Sequence, residues 1–304
     1  MDLSIIIVNY NTGGLLAECI ESVLKHTKKI SYIIYVVDNN SSDESLALLS
    51  RLSKNKSRIK VIKCSKNLGF AGANNLALKK VKSDFVLLLN PDTLIKNNVI
   101  GDMLAWIKRK AEVGIASCAL KNSDGSIQGT GGYFPTLLRV FSWMTIEDLP
   151  FVAKIIKPFH PMRNLSYSKG INFYKGIKEL DWVTGAFFMF RSTLLKEIGL
   201  LDDDYFMYTE EVDYCYRAKQ KGWKVFYNPA WSIVHYGGAS AGSEFAILSE
   251  FKGIKLFYKK HYPKWQSLFL WVVLKIGILG RVILFAILGR GTLSKTYAKA
   301  FIEI

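Results

Sequence analysis

Asp92 follows an unbroken apolar run, Phe85 to Leu89, and an Asn90-Pro91 step. The run is too short for a globular helix and long enough for a strand buried on both faces. Pro91 has no N–H for a ladder and pushes Asn90 towards an extended conformation, so the strand must end there. The Asp92 carboxylate is then expected at the C-terminal lip of a central strand, where open α/β sheets bind ligands. A lone aspartate on a fixed backbone suits a divalent cation that in turn holds a diphosphate. An Asn-Pro-Asp turn with no further role is the plainer reading.

The elements that must position Asp92 can be read from apolar periodicity. Ser4 to Val8, Ile33 to Val37, Ile59 to Ile62 and Phe85 to Leu89 read as four strands, and Val113 to Ser117 as a fifth. Between them lie helical stripes: Leu15 to Leu24, Leu46 to Leu52, Leu76 to Val81 and Val99 to Arg109. Asp43 or Ser42 would cap the second helix. This alternation predicts an α/β fold with a mostly parallel central sheet flanked by helices. Polar clusters fall where strands end, at residues 9–12, 38–43 and 90–93. A shared sheet edge would gather them into one crevice, which is the strongest purely physical hint of a nucleotide site.

Residues 120–180 carry Gly129, Gly131, Gly132 and prolines at 135, 150, 158 and 161, and read as an irregular insertion. An apolar strand from Trp182 to Phe190 follows, interrupted at Gly185. Helices are expected over Leu194–Ile198 and Glu210–Lys221, a strand over Lys224–Tyr227 and a loop over Ile233–Gly238. Asp213 and Arg217 have the spacing of a helical ion pair.

The chain has 304 residues, enough for a substantial core. Four cysteines without paired spacing speak for a reducing compartment and against a disulfide framework or zinc site. A net charge of +16 points to an anionic partner: nucleic acid, nucleotide diphosphates or the cytoplasmic leaflet. From residue 250 to 304, ten Lys/Arg face two acidic residues and mix with aromatics, a pattern closer to a membrane surface than to a base-reading helix. Ser267 to Leu288 is almost wholly apolar but holds Lys275 and Arg281. It reads as an interfacial amphipathic helix or helical hairpin, with a packed core helix and a true span as alternatives.

The ordered set Ile5-Ile-Ile-Val-Asn-Tyr-Asn11, Val36-Val-Asp-Asn-Asn-Ser-Ser-Asp43, Asn67-Leu-Gly-Phe-Ala-Gly-Ala-Asn74, Leu89-Asn-Pro-Asp92, Val183-Thr-Gly-Ala186, Phe206-Met-Tyr-Thr-Glu-Glu-Val-Asp213 and His235-Tyr-Gly-Gly238 resembles glycosyltransferase family 2. Within it, the likeness is to the rhamnosyltransferase-like branch that builds bacterial surface polysaccharides. The resemblance covers roughly residues 3–240 and implies a GT-A fold. It divides the chain into a catalytic domain over 1–240 (a nucleotide-sugar half, 1–118, and an acceptor half, 119–240) and a helical, membrane-associating segment over 241–304.

By the same resemblance, Asp38 accepts a hydrogen bond from the donor's nucleobase, with Asn9 and Asn11 in the same pocket. Asn67, Gly69 and Gly72 shape the loop facing the ribose and diphosphate. Asp92 holds Mg²⁺ or Mn²⁺, with His235 as a second ligand. Asn90, on the donor side, stands where a first carboxylate is often found. Trp182, Thr184 and Gly185 fall on the acceptor side, although Trp182 also reads as a core strand residue. Inverting transfer needs one base opposite the leaving diphosphate. Glu211 stands in the base position, and Glu210 is the alternative; adjacent carboxylates repel, so one titrates higher.

The implied activity is metal-dependent, inverting transfer of a sugar from a nucleotide-diphosphate donor, first dTDP-rhamnose, to a hydroxyl of a lipid-linked glycan. The expected location is the cytoplasmic side, peripherally on the inner face of the cell membrane, with an anionic surface and no nucleic acid as partner. The oligomeric state is open, a homo-oligomer included. Rivals are transfer of another hexose or galactofuranose, a non-catalytic GT-A-like scaffold, and, from charge alone, nucleic-acid binding.

Overall fold

The computed structural model describes residues 1–54, 56–147, 152–161, 172–237 and 243–304. Pro150 and Gly238 therefore lie outside the described residues. Apolar runs with β-branched residues form strands β1 (Leu3–Asn9), β2 (Tyr32–Asp38), β3 (Ile59–Lys63) and β4 (Phe85–Leu89). Further strands are β5 (Thr93–Leu94), β6 (Val113–Lys121), β7 (Gly131–Gly132), β8 (Lys178–Leu180), β9 (Trp182–Val183), β10 (Phe187–Arg191) and β11 (Lys224–His235).

The main sheet runs β3-β2-β1-β4-β10-β6-β11-β5, with β8 also on β11. The pairs β1/β2, β1/β4, β2/β3 and β6/β11 are parallel; β10 is antiparallel to both β4 and β6. Six of the nine strands thus point one way, and β10, β5 and β8 point back. The sheet is mixed. A helical crossover joins each early strand to the next, whereas β10 arrives from the insertion with no such constraint on its direction.

Strand alternation divides the core into two layers. Ile5, Ile7, Leu87 and Phe187 face helices Gly13–His26 and Val99–Lys108. Ile6, Val86, Leu88, Phe188 and Phe190 face helices Gly69–Leu78 and Glu210–Gln220. That second layer continues without a break into helices Ser243–His261, Lys264–Ile287 and Gly291–Glu303, through Phe251, Phe257, Leu274 and Ala300.

Three sequence expectations need correction. The strand read as ending at Tyr227 continues to His235, so the expected loop over Ile233–Gly238 is strand as far as His235. Pro229 removes a ladder N–H and the register shifts between Asn228 and Ser232, after which pairing to β6 resumes. The insertion contains a nine-residue helix, Leu137–Thr145, with Val140, Trp143 and Met144 in the core. Finally, Lys264–Ile287 is a single helix and not a hairpin, and its two interior charges, Lys275 and Arg281, point inward. Arg281 is 7% exposed and donates to the Trp143 carbonyl, while Lys275 reaches the Phe301 carbonyl. Trp265, Leu268, Trp271, Ile276, Leu279, Ile283 and Ile287 face outward.

Candidate active site

Asn9, Asp38 and His235 end the co-directional strands β1, β2 and β11, and Asn90 follows β4, so all four stand on one sheet edge. Asn9 Nδ2 donates to Asp38 Oδ1 at 3.2 Å and to Ser41 Oγ at 3.0 Å; Thr12 Oγ1 donates to Asn9 Oδ1 at 2.7 Å. Asn11 takes a left-handed conformation, φ 54°, and its side chain accepts from the Ser42 N–H. Asp43 works as a cap: one oxygen accepts from Ser45 N and the other from Gly13 N, tying two helix starts together.

Beside this cluster, Asn39 holds the 67–70 turn. Its Nδ2 donates to Asn67 Oδ1 and the Gly69 carbonyl, and its Oδ1 accepts from Leu68 N. Gly69 has φ 71°, and a Cβ there would lie 2.1 Å from the Phe206 carbonyl oxygen, so glycine is required twice over. Phe70 N donates to that same carbonyl at 2.7 Å. The turn is thereby fastened to the loop that leads into Glu210. Gly72 sits one helical turn on, facing Leu68 and Asp203.

Asp92 is 5% exposed, and its Oδ1 has no hydrogen-bond partner among the described residues. It lies 3.4 Å from His235 Nε2, and Asn90 Nδ2 also approaches Nε2 at 3.4 Å. Gln128 sets the imidazole tautomer. Its Nε2 donates to Asn122 Oδ1 at 2.6 Å and to the His235 carbonyl at 2.7 Å, so its Oε1 must face His235 Nδ1, 2.7 Å away. In the neutral imidazole, Nδ1 therefore carries the proton and Nε2 presents a lone pair to the carboxylate. Two acceptors facing each other with a buried orphan oxygen fit a divalent cation. No cluster of three or more ligating side chains exists among the described residues. One carboxylate and one imidazole leave the remaining positions to water and phosphate oxygens, as suits Mg²⁺ or Mn²⁺.

Glu210 and Glu211 open helix Glu210–Gln220 behind two consecutive left-handed residues, Tyr208 at φ 70° and Thr209 at φ 74°. Such conformations on non-glycine residues are retained where the surroundings over-determine them. Glu210 is 4% exposed; burial first, then the charge of Glu211, holds it protonated well above the usual carboxylate range. Burial raises Glu211 to about 7. Burial, then the charges of Glu211, Glu210, Glu250 and Asp92, push the Tyr208 hydroxyl up to about 12. Asp213 pairs with Arg217 Nε at 2.7 Å and His261 Nε2 at 2.6 Å, a tie between helices.

Residues 4–199 match the sequence model of glycosyl transferase family 2. The chain belongs to this family. Family-2 relatives include the rhamnosyltransferase WbbL of Escherichia coli (strain K12), 25% identical over 67% of this chain and 78% of its own. Another is the N-acetylglucosaminyl-diphospho-decaprenol L-rhamnosyltransferase of Mycobacterium tuberculosis (strain ATCC 25618 / H37Rv), 21% identical over 86% of both chains. The fold is shared with GalNAc-T7, solved with UDP, GalNAc and Mn²⁺, at a TM-score of 0.63 and 17% identity; that likeness covers 88% of this chain and 49% of the other, so this chain spans about half of its length. It is also shared with the mannosyltransferase PcManGT of Pyrobaculum calidifontis, at a TM-score of 0.57 and 14% identity over 98% of this chain and 73% of that one.

Of the three residues expected on the acceptor side of a family-2 chain, Gly185 packs on the Phe70 ring and Thr184 N donates to the Thr130 carbonyl. Trp182 is 6% exposed, with its ring against Phe159 and His160, and forms core, not an open stacking platform. Sequence reasoning missed Gln128, Asn39 and the Phe206 carbonyl. Gln128 and Asn39 belong to no catalytic residue type, and a carbonyl leaves no trace in a sequence.

Proposed function

We propose that this glycosyltransferase is a metal-dependent, inverting enzyme that moves a sugar, first L-rhamnose from dTDP-rhamnose, to a hydroxyl of a lipid-linked polysaccharide intermediate. The observation that carries this reading is the orphaned Asp92 oxygen facing the His235 lone pair on the edge that also holds Asp38. Asp38, with Asn9 and Asn11 around it, receives the nucleobase; Asn67, Gly69 and Gly72 shape the wall beside the ribose and diphosphate, with Asn90 at its end. Asp92 and His235 hold the Mg²⁺ or Mn²⁺, which when bound neutralises charge on the departing diphosphate.

Glu211 removes the acceptor hydroxyl's proton as that oxygen bonds to the anomeric carbon. The bond to the diphosphate breaks on the opposite face, the diphosphate leaving with its electron pair, so configuration inverts. Protonated Glu210 keeps the pair at one negative charge and hydrogen-bonds Glu211. Residues 1–240 carry the donor, metal and base residues, and the C-terminal helices brace them from behind. The segment 241–304 sets its outward apolar stripe against the inner face of the cell membrane, where a lipid-linked acceptor lies. Helix Lys264–Ile287 is long and apolar enough for its exposed stripe to lie among acyl chains.

The test is a thermal-shift panel of nucleotide sugars with and without Mn²⁺, followed by transfer assays of Asp92→Ala and Glu211→Ala. A Mn²⁺-dependent rise in Tm with one nucleotide sugar, and loss of transfer in both variants, is expected. Wild-type turnover in both variants would end this assignment.

A further inference from the structure

The turn that carries Asp92 is held from below by helix Gly13–His26, which aims two small side chains at it, Cys19 and Ser22, one helical turn apart. Ser22 Oγ donates to the Cys19 carbonyl at 2.7 Å and accepts from Ile95 N at 3.0 Å, gripping the chain just after β5. Thr93 Oγ1 donates its single proton to the Asn90 carbonyl at 2.8 Å and therefore accepts from the Cys19 thiol, 3.4 Å away. All three side chains are buried. The main chain completes the hold: Asn90 N donates to the Ala186 carbonyl, and the Asp92 carbonyl accepts from Tyr236 N at 2.9 Å. Thr93 is the antiparallel partner of His235 across β5 and β11. It thus follows one proposed cation ligand in the chain and pairs with the other in the sheet. At two residues, β5 is shorter than most strands and has few ladder bonds of its own to fix its place.

We propose that Thr93 is a positioning residue for the divalent cation: its hydroxyl, backed by Cys19 and Ser22, fixes the Asn90–Asp92 turn so that the Asp92 carboxylate and the His235 imidazole already face each other at 3.4 Å before a cation arrives; this rests on the metal reading above. Packing alone does not call for threonine here. Valine has nearly the same shape, suits a strand equally well and buries no hydroxyl. The hydroxyl does what valine cannot: it joins the carbonyl of Asn90, two residues before the carboxylate, to the helix beneath. Thr93 acts through that carbonyl. Without it the turn loosens, the Asp92 oxygen drifts out of line with Nε2, and cation binding weakens by about tenfold, the lower end for a group that supports a ligand.

The experiment uses the full chain and reads Mn²⁺ binding directly, from the electron paramagnetic resonance signal of the free ion, with Mn²⁺ alone and with dTDP or UDP added. Thr93→Val is expected to lose about tenfold in Mn²⁺ affinity, Thr93→Ser to stay within about twofold of wild type, and Ser22→Ala to lose about threefold. Affinity for dTDP or UDP without metal should change less than about twofold in all three, because the strand ends that receive the nucleotide are untouched. A hydroxyl that only closes the turn would lower Tm and leave the Mn²⁺ affinity of the folded protein unchanged; that result, or an equal loss in Thr93→Ser and Thr93→Val, overturns the proposal. If Thr93→Val does not fold, Ser22→Ala decides, and wild-type Mn²⁺ affinity in that variant overturns it. Absence of Mn²⁺ binding to wild type would instead overturn the metal reading, and this proposal with it, so the two failures are told apart.

Discussion

Gly253 lies so close to Thr209 that a methyl group on it would fall 2.3 Å from Thr209 Oγ1. The C-terminal helix Ser243–His261 thus presses on the left-handed Tyr208–Thr209 step that aims Glu210 and Glu211. Alanine in a helix interior normally gains about 1 kcal/mol over glycine. Overpacking a buried contact costs about 1–3 kcal/mol, and here the obstructing atoms belong to a buried threonine. Gly253→Ala is expected to lower both Tm and kcat; a stable, fully active variant would show that the contact yields.

Gln128 governs the proposed cation site through the imidazole. Gln128→Leu is expected to weaken apparent Mn²⁺ affinity by about 10–100-fold while leaving kcat at saturating Mn²⁺ close to wild type. Asp92→Asn loses activity at any Mn²⁺ concentration, and EDTA inhibits wild type reversibly. A Mn²⁺ titration of initial rates separates these outcomes.

Turnover should rise with pH through about 7, as Glu211 gives up the proton that blocks it from acting as base. Stability runs the other way. The folded pKa of Glu211 exceeds its ordinary 4.5, so the folded chain keeps a proton that the unfolded chain releases. The resulting stabilisation is full below 4.5 and is lost as pH rises through about 7. Glu211→Gln is expected to cut kcat by about 10²–10⁴-fold and to flatten this slope, as measured by denaturant unfolding from pH 5 to 8.

Asp213 is buried between Arg217 and His261, and its removal leaves a cation without its partner. Asp213→Asn is expected to cost about 3 kcal/mol, the lower end for a broken buried pair, because Arg217 and His261 retain some solvent contact. Donor KM should stay unchanged, since Asp213 ties helices together and is not proposed to touch substrate.

Leu268→Glu with Ile276→Glu places two carboxylates on the exposed stripe. Co-flotation with vesicles containing anionic lipid should fall at least tenfold, with Tm within 2 °C of wild type, roughly the sensitivity limit for a surface change. Undiminished flotation would remove the stripe from membrane binding.

Much of the first half of the fold was legible because each strand there is a short run buried on both faces, ended by polar or turn-forming residues; β4 matches its expected span, Phe85–Leu89. The register of β11 was not, because Pro229 looks like a terminus when it is only a bulge. The Leu137–Thr145 helix was invisible for another reason. Its amphipathic face is completed by Arg281 and Gly277, some 130 positions away, and no local period announces that. At the site, Asp92 stood out by its place after a short apolar strand, whereas His235 and the Glu210–Glu211 pair were named through the family resemblance. The inward turn of Lys275 and Arg281 was missed because two charges in an apolar segment look like a solvent-facing edge until the carbonyls that receive them are seen.

The unbroken apolar layer between sheet and C-terminal helices bears on how the protein can be handled. Cutting the chain near residue 240 would look like a convenient way to make a detergent-free fragment. It would also strip Gly253, Phe257 and His261 from the back of the Glu210–Gln220 helix and uncover the rings of Trp143 and Tyr216. Such a fragment would trade one sticky surface for another and lose the brace behind its own reactive carboxylates.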